Sequence, residues 1–166
     1  YVSRHAPTNA AGLELIHHDT DDGVLIYRNN HARPRFQLYE RAAFVDSPNT
    51  ALQQLIQSES GLLFVEGPSA EGNPQEQTCA EDPRQPARLE VSQATSMHYQ
   101  MSVSTKCPVW LFVADANYPG WEAKVDGVGA RLYSSQVMGK AVRVPAGEHH
   151  VQLFPRYAGA TAHVSH

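Results

Sequence analysis

The sequence predicts a mainly β fold, a jelly-roll-like β-sandwich carrying one short α-helix. Three observations predict it. Apolar and polar residues alternate along most of the chain, turn-forming residues punctuate that alternation at short intervals, and one stretch, 48–57, has helical spacing instead. At 166 residues the chain suits one domain, 1–157, with a short tail, 158–166. A chain of this size buries about two-thirds of the surface its unfolded form exposes, so its core requires no metal or disulfide staple.

Leu13-Glu14-Leu15-Ile16-His17 and Val24-Leu25-Ile26-Tyr27-Arg28 flank Asp19-Thr20-Asp21-Asp22-Gly23. Asp and Gly tolerate the positive φ of tight turns, so this stretch reads as a hairpin. After Arg33-Pro34, residues 35–39 and 43–45 read as short extended pieces. In the helix, Ser47 is placed to cap, Pro48 suits the first turn, and Leu52, Leu55 and Ile56 line one face. Leu62-Leu63-Phe64-Val65 follows Gly61 as a short buried strand would. Residues 67–86, rich in Pro, Gly and carboxylates, read as a long surface loop, of a length that is either functional or mobile. Strands at 88–94, 98–104, 109–115, 122–125, 141–144 and 149–154 complete a set of roughly eight to ten. Asp126-Gly127 is a hairpin dipeptide, and Pro145-Ala146-Gly147 is a tight turn with Gly at the positive-φ position.

Lys and Arg number 13 against 17 Asp and Glu, a formal net charge of −4. The basic residues are scattered, Arg33 and Arg35 being the closest approach to a cluster. A grip on nucleic acid or an anionic membrane surface needs clustered cations, so neither is expected as a partner. The chain lacks a signal peptide and any run of 18 apolar residues, and it begins at Tyr1 without an initiator Met. It reads as a segment of something longer.

Catalytic and metal-binding patterns are sparse. Cys79 and Cys107 either bridge in an oxidising compartment or remain two unrelated thiols. Both lie beside turn-forming residues, which argues against core positions. A bridge would be worth about 3–4 kcal/mol on the chain-entropy model. The nine histidines include the adjacent pairs His17-His18 and His149-His150, whose members point to opposite faces of a strand. Without HExxH or CxxC spacing they read as solvated or pH-responsive surface groups. Asp115 and Asp126 lack the dense spacing of a calcium loop. Asp21-Asp22 and Glu81-Asp82 lie in turns, and no GxSxG elbow is present. No catalytic residue, metal or cofactor is expected, which ranks a free-standing carbohydrate-active hydrolase below binding or structural roles.

One segment stands out, Tyr118-Pro119-Gly120-Trp121. Tyr118 and Trp121 on a loop would make a stacking surface for a sugar ring, the candidate carbohydrate contact. The plainer reading has Pro and Gly turning the chain while Trp121 packs over the end of the sandwich. Alternating Ala123 and Val125 after Trp121 favour burial.

From that segment onward the chain resembles a known family. The carrying residues are VADANYPGWEAKVDG at 113–127 and KAVRVPAGEHHV at 140–151, preceded by VLIYRN at 24–29 and Arg33-Pro34-Arg35-Phe36. Together they resemble the YfhO-type bacterial membrane proteins, multi-spanning relatives of GT-C-like glycosyltransferases that use lipid-linked sugars. Those proteins carry a soluble β-rich portion on the outer face near the C-terminus. The resemblance runs in order along nearly the whole chain and is weakest over 67–86. It implies an extracytoplasmic, membrane-tethered location, periplasmic or on the outer face of the bacterial inner membrane. The implied partners are the rest of the membrane-embedded parent chain and a cell-envelope glycan or lipid-linked sugar. Many relatives have a membrane span soon after the position of Tyr157, where this chain has a short polar ending. The catalytic carboxylates of such enzymes lie in loops between membrane helices, so none transfers to these residues. The implied role is a non-catalytic accessory domain, with a purely structural or protein-contacting sandwich as the alternative.

Overall fold

The computed structural model describes residues 2–7, 11–57, 61–67 and 86–156. Cys79, most of the 67–86 loop and the 158–166 tail lie outside the described residues. The chain divides into two compact units, Tyr1–Pro34 and Arg35–His166.

The first unit is an antiparallel sheet of β1 (Val2–Ser3), β2 (Leu13–Asp19) and β3 (Val24–Asn29), in the order β1-β3-β2. Its hairpin forms because the Asp19 carboxylate accepts the backbone N–H groups of Asp21 (2.9 Å) and Asp22 (3.3 Å), an Asx-type turn closed by Gly23 at φ 67°. These bonds hold the Asp19 carboxyl below its ordinary range. A register shift between Leu15 and His17 breaks the two-residue period, and Leu15 and Ile16 both stand exposed instead of alternating.

The second unit is a β-sandwich with a single helix among the described residues. Its elements are β4 (Phe36–Tyr39), β5 (Arg41–Val45), α1 (Pro48–Gln57), β6 (Leu62–Glu66), β7 (Arg88–Ala94), β8 (Tyr99–Thr105) and β9 (Val109–Val113). They continue with β10 (Trp121–Val125), β11 (Val128–Ala130), β12 (Leu132–Ser135), β13 (Gly139–Val144) and β14 (Gly147–Pro155). One sheet runs β11-β10-β14-β8-β7 and the other β4-β9-β13-β12-β6-β5. Alternate residues from each, including Met101, Val103 and Leu153 from the first and Leu111, Val113 and Val142 from the second, fill the space between them. The 14 strands among the described residues exceed the number expected, because short pieces such as β1 and β12 carry too little alternation to read.

Two details depart from the sequence reading. β5 and β6 pair in parallel, the one parallel pair among the described strands, with α1 as the crossover that parallel neighbours require. The helix start is as expected, with Ser47 Oγ accepting the Thr50 N–H at 3.2 Å. Its inward face differs: Ala51 is buried and Leu55 packs on Val45 and Phe64, an i, i+4 stripe, while Leu52 and Ile56 are 47% and 76% exposed.

Gly139 opens β13 where a Cβ would stand 2.2 Å from Phe112 Cε2 and 2.9 Å from the Val113 carbonyl oxygen. Overpacking against a neighbouring backbone cannot be relieved by a rotamer change alone. Gly139→Ala is expected to cost about 2 kcal/mol in chemical denaturation, by forcing the ring and the strand apart.

Candidate functional site

At one end of the sandwich, five residues from both sheets converge. Arg35 precedes β4, Tyr99 opens β8, Asp115 follows β9, Trp121 opens β10, and Lys140 lies near the start of β13. Strand parity places Lys140 on the inward face shared by Val142 and Val144, so the chain carries an amine into the interior at 0% exposure. Its Nζ lies 3.6 Å from the Trp121 ring centroid and 5.9 Å from that of Tyr99, donates to the Ala116 carbonyl at 2.9 Å, and approaches Asp115 Oδ2 at 4.0 Å. The buried charge is thus met by a carboxylate, a carbonyl and a ring face.

Asp115 is the hub. Tyr99 donates its hydroxyl hydrogen to Asp115 Oδ2, and Arg35 Nη2 donates to the same oxygen at 3.1 Å and to the Tyr99 hydroxyl oxygen at 2.8 Å. Burial pushes the Asp115 carboxyl up, but the bonds from Tyr99 and Arg35 with the Lys140 and Arg35 charges outweigh it and hold the group low. Burial, then the bond to Asp115, push the Tyr99 phenol up to about 12. Burial pushes the Lys140 ammonium down to about 8, against the pull of Asp115.

The segment 115–121 is fastened to its surroundings from both sides. Asn117 donates through its side chain to Ser134 Oγ (3.0 Å) and through its backbone to the Met138 carbonyl (3.1 Å). Gly120, at φ 97°, supplies the turn that Pro119 begins, and its carbonyl accepts the Arg156 N–H at 2.7 Å. Trp121 packs against the inter-sheet core and stacks beside Tyr99 with centroids 5.4 Å apart and planes 12° apart. Tyr118 is 70% exposed. The two aromatic candidates are therefore divided: Trp121, partly buried, anchors the segment, and Tyr118 is the more exposed ring.

Cys107 corrects an expectation. It is 4% exposed, because Thr105, itself buried, bridges the 105–107 turn by donating to the Cys107 carbonyl (2.7 Å) and accepting its N–H (3.3 Å). Its sulfur is disulfide-bonded. The partner considered in the sequence, Cys79, lies outside the described residues.

Asp126 does not join Asp115. It occupies the β10–β11 turn at φ 51°, followed by Gly127 at φ 79°, the paired positive values that a two-residue hairpin turn requires. One carboxylate oxygen meets His149 Nδ1 at 2.6 Å and the other accepts the His150 N–H at 2.8 Å. His149 Nε2 lies 3.1 Å from the Ala146 carbonyl, so both ring nitrogens face acceptors. The Asp126 bond first, then the carbonyl, raise the imidazole pKa. Among the described residues no group of three or more His, Cys, Asp or Glu is placed to hold a metal ion.

Sequence reasoning singled out Trp121 and Asp115 but not Arg35, Tyr99 or Lys140. The available signal was Lys140 itself, a lone ammonium in phase with Val142 and Val144. No protein-family model, curated protein or solved structure matches the chain. What fold and site define together is a β-sandwich module in which a polar cluster around Asp115 ties the 115–121 segment to the core.

Proposed function

We propose that the chain is a non-catalytic extracytoplasmic accessory domain of a YfhO-like multi-spanning membrane protein, assisting glycosyl transfer from a lipid-linked sugar to a cell-envelope glycan. The observation that carries the non-catalytic role is the Asp115 hub. Its carboxylate is engaged by Tyr99, Arg35 and Lys140, and the Lys140 amine is sealed from solvent, an arrangement that holds a segment in shape. Support for the extracytoplasmic side comes from the disulfide at Cys107, since such bonds persist in oxidising compartments. The family resemblance supports the membrane-bound parent and the glycan.

The alternative, a protein-contacting domain without a ligand, draws on one observation: α1 turns Leu52 and Ile56 outward. Removal of residues 35–156 from the full-length gene product distinguishes the two. The accessory reading expects membrane insertion to persist while transfer of labelled sugar to envelope glycan drops at least tenfold, about 1.4 kcal/mol in the rate-limiting barrier. Unchanged transfer together with loss of a co-purifying subunit would favour the protein-contacting domain.

A further inference from the structure

The outer face of the five-stranded sheet carries a trough that the segment 118–121 does not touch. On β8 the outward side chains Ser102 and Ser104 are short. Strand register sets Ser104 between Arg88 of β7 and Glu148 of β14, and Ser102 between Glu90 and His150. Two rows of long polar chains therefore flank a row of serines, and the relief is fixed by backbone pairing. Two adjoining hollows of about 510 and 570 Å³ share Arg88, Ser104 and Glu148, so the depression continues across the sheet. At one end the Asp126–His149 pair closes onto the Ala146 carbonyl and fixes the rim.

The lining selects a chemistry. Arg88 and Lys106 offset all but one of the carboxylates Glu90, Asp126 and Glu148, so the trough has little net field to attract a strongly charged polymer. Its groups are guanidinium, ammonium, carboxylate, hydroxyl and imidazole, of which the guanidinium donates and the carboxylates accept in planar pairs. Adjacent hydroxyls on a sugar ring both donate and accept, and they match such pairs. A shallow, continuous, polar depression suits an extended chain, whereas an enclosed apolar pocket would suit a compact ligand.

We propose that this trough binds an uncharged oligosaccharide strand, with Arg88, Glu90, Glu148 and His150 as hydrogen-bonding walls over a floor of Ser102 and Ser104. The proposal rests on the accessory-domain reading and moves the glycan contact from the Tyr118 end to the sheet face. Four properties follow for binding: it is polar, tolerant of sugar identity at single positions, insensitive to moderate salt, and sensitive to bulk placed on the floor.

The test is a titration of the isotope-labelled 166-residue chain with cello-, laminari- and chito-oligosaccharides and with an oligogalacturonate, followed by backbone amide shifts. The expected result is saturable shifts at 88–90, 102–104 and 148–150 with an uncharged oligomer. Ser102→Lys and Ser104→Lys should each weaken that binding at least about tenfold while leaving the thermal midpoint in place. Both positions are exposed, so the fold survives the change, and Tyr118→Ala should leave the affinity unaltered. Shifts confined to 115–121 and abolished by Tyr118→Ala would overturn the trough while sparing the accessory-domain reading. Binding of the oligogalacturonate alone would overturn the uncharged ligand. No shift with any oligomer would overturn the trough outright, and sugar transfer by the full-length product would then judge the accessory reading separately.

Discussion

Asp115→Ala is expected to lower the free energy of unfolding by about 3 kcal/mol, the low end of the range for removing one partner of a buried ion pair. The carboxylate is about one-third exposed, which places the effect at that end, but Lys140 and Tyr99, which it serves, are buried. Lys140 has no solvent of its own and would keep the Ala116 carbonyl and the Trp121 ring face as its remaining partners. The Tyr99 hydroxyl would lose its acceptor inside the protein. Arg35, nearly half exposed, can turn to water and contributes little to the loss. The check is urea denaturation, read as a fall in midpoint at unchanged m-value. A second variant isolates the cause. Lys140→Met substitutes an apolar chain of similar length under Trp121, and pairing it with Asp115→Ala should recover most of the lost stability, because the orphaned charge is gone. If the double variant is as unstable as Asp115→Ala alone, the loss comes from the loop geometry and not from the buried ammonium.

Much of this architecture can be read from residue order because a half-buried strand has a strict period of two. The stretches 88–94 and 109–115 alternate or run apolar between turn residues, and both form strands within two residues of those limits. Leu132-Tyr133-Ser134-Ser135 evades the same reading because two of its four residues are serines, although Ser135 is fully buried and donates to the Phe64 carbonyl at 2.7 Å. That hydroxyl is satisfied only through a strand 71 positions away, which no local pattern encodes. The parallel pairing of β5 and β6 is likewise a product of how α1 packs across them. Helix orientation fails for a related reason: Leu52, Leu55 and Ile56 share a hydrophobic arc, but the sheet beneath takes the side bearing small Ala51, which allows close approach. The Asp115 hub draws its members from positions 35, 99, 115, 121 and 140, so Trp121 and Asp115 stand out singly in the sequence while their convergence does not. A Lys in phase with two buried valines implies a buried charge, and a buried charge implies a carboxylate. Which carboxylate depended on the fold.

Stability should rise as pH climbs from about 8 toward 10 and fall as it continues toward 12, giving a maximum near pH 10. The first limb belongs to Lys140. In the unfolded chain its amine keeps its proton up to the ordinary 10.5, whereas burial makes the folded chain release it at about 8. Between those values the unfolded state binds more protons, so deprotonation favours folding, and the gap corresponds to about 3 kcal/mol. The second limb belongs to Tyr99 and has the opposite sign. Burial and the Asp115 bond keep its phenol protonated to about 12, while the unfolded phenol ionises near 10.0, so the folded state binds more protons in that window and loses stability as pH rises through it. His149 has the same sign as Tyr99: the Asp126 bond raises its pKa, so it contributes stability fully present below 6.5 and lost as pH rises through the folded value. Urea midpoints measured from pH 6 to 11.5 would resolve the limbs. Lys140→Met should flatten the rise and keep the fall, and Tyr99→Phe should do the reverse. A wild-type curve that declines steadily from pH 8 would mean the Lys140 ammonium is held charged in the folded state, with Asp115 and the Trp121 ring outweighing its burial.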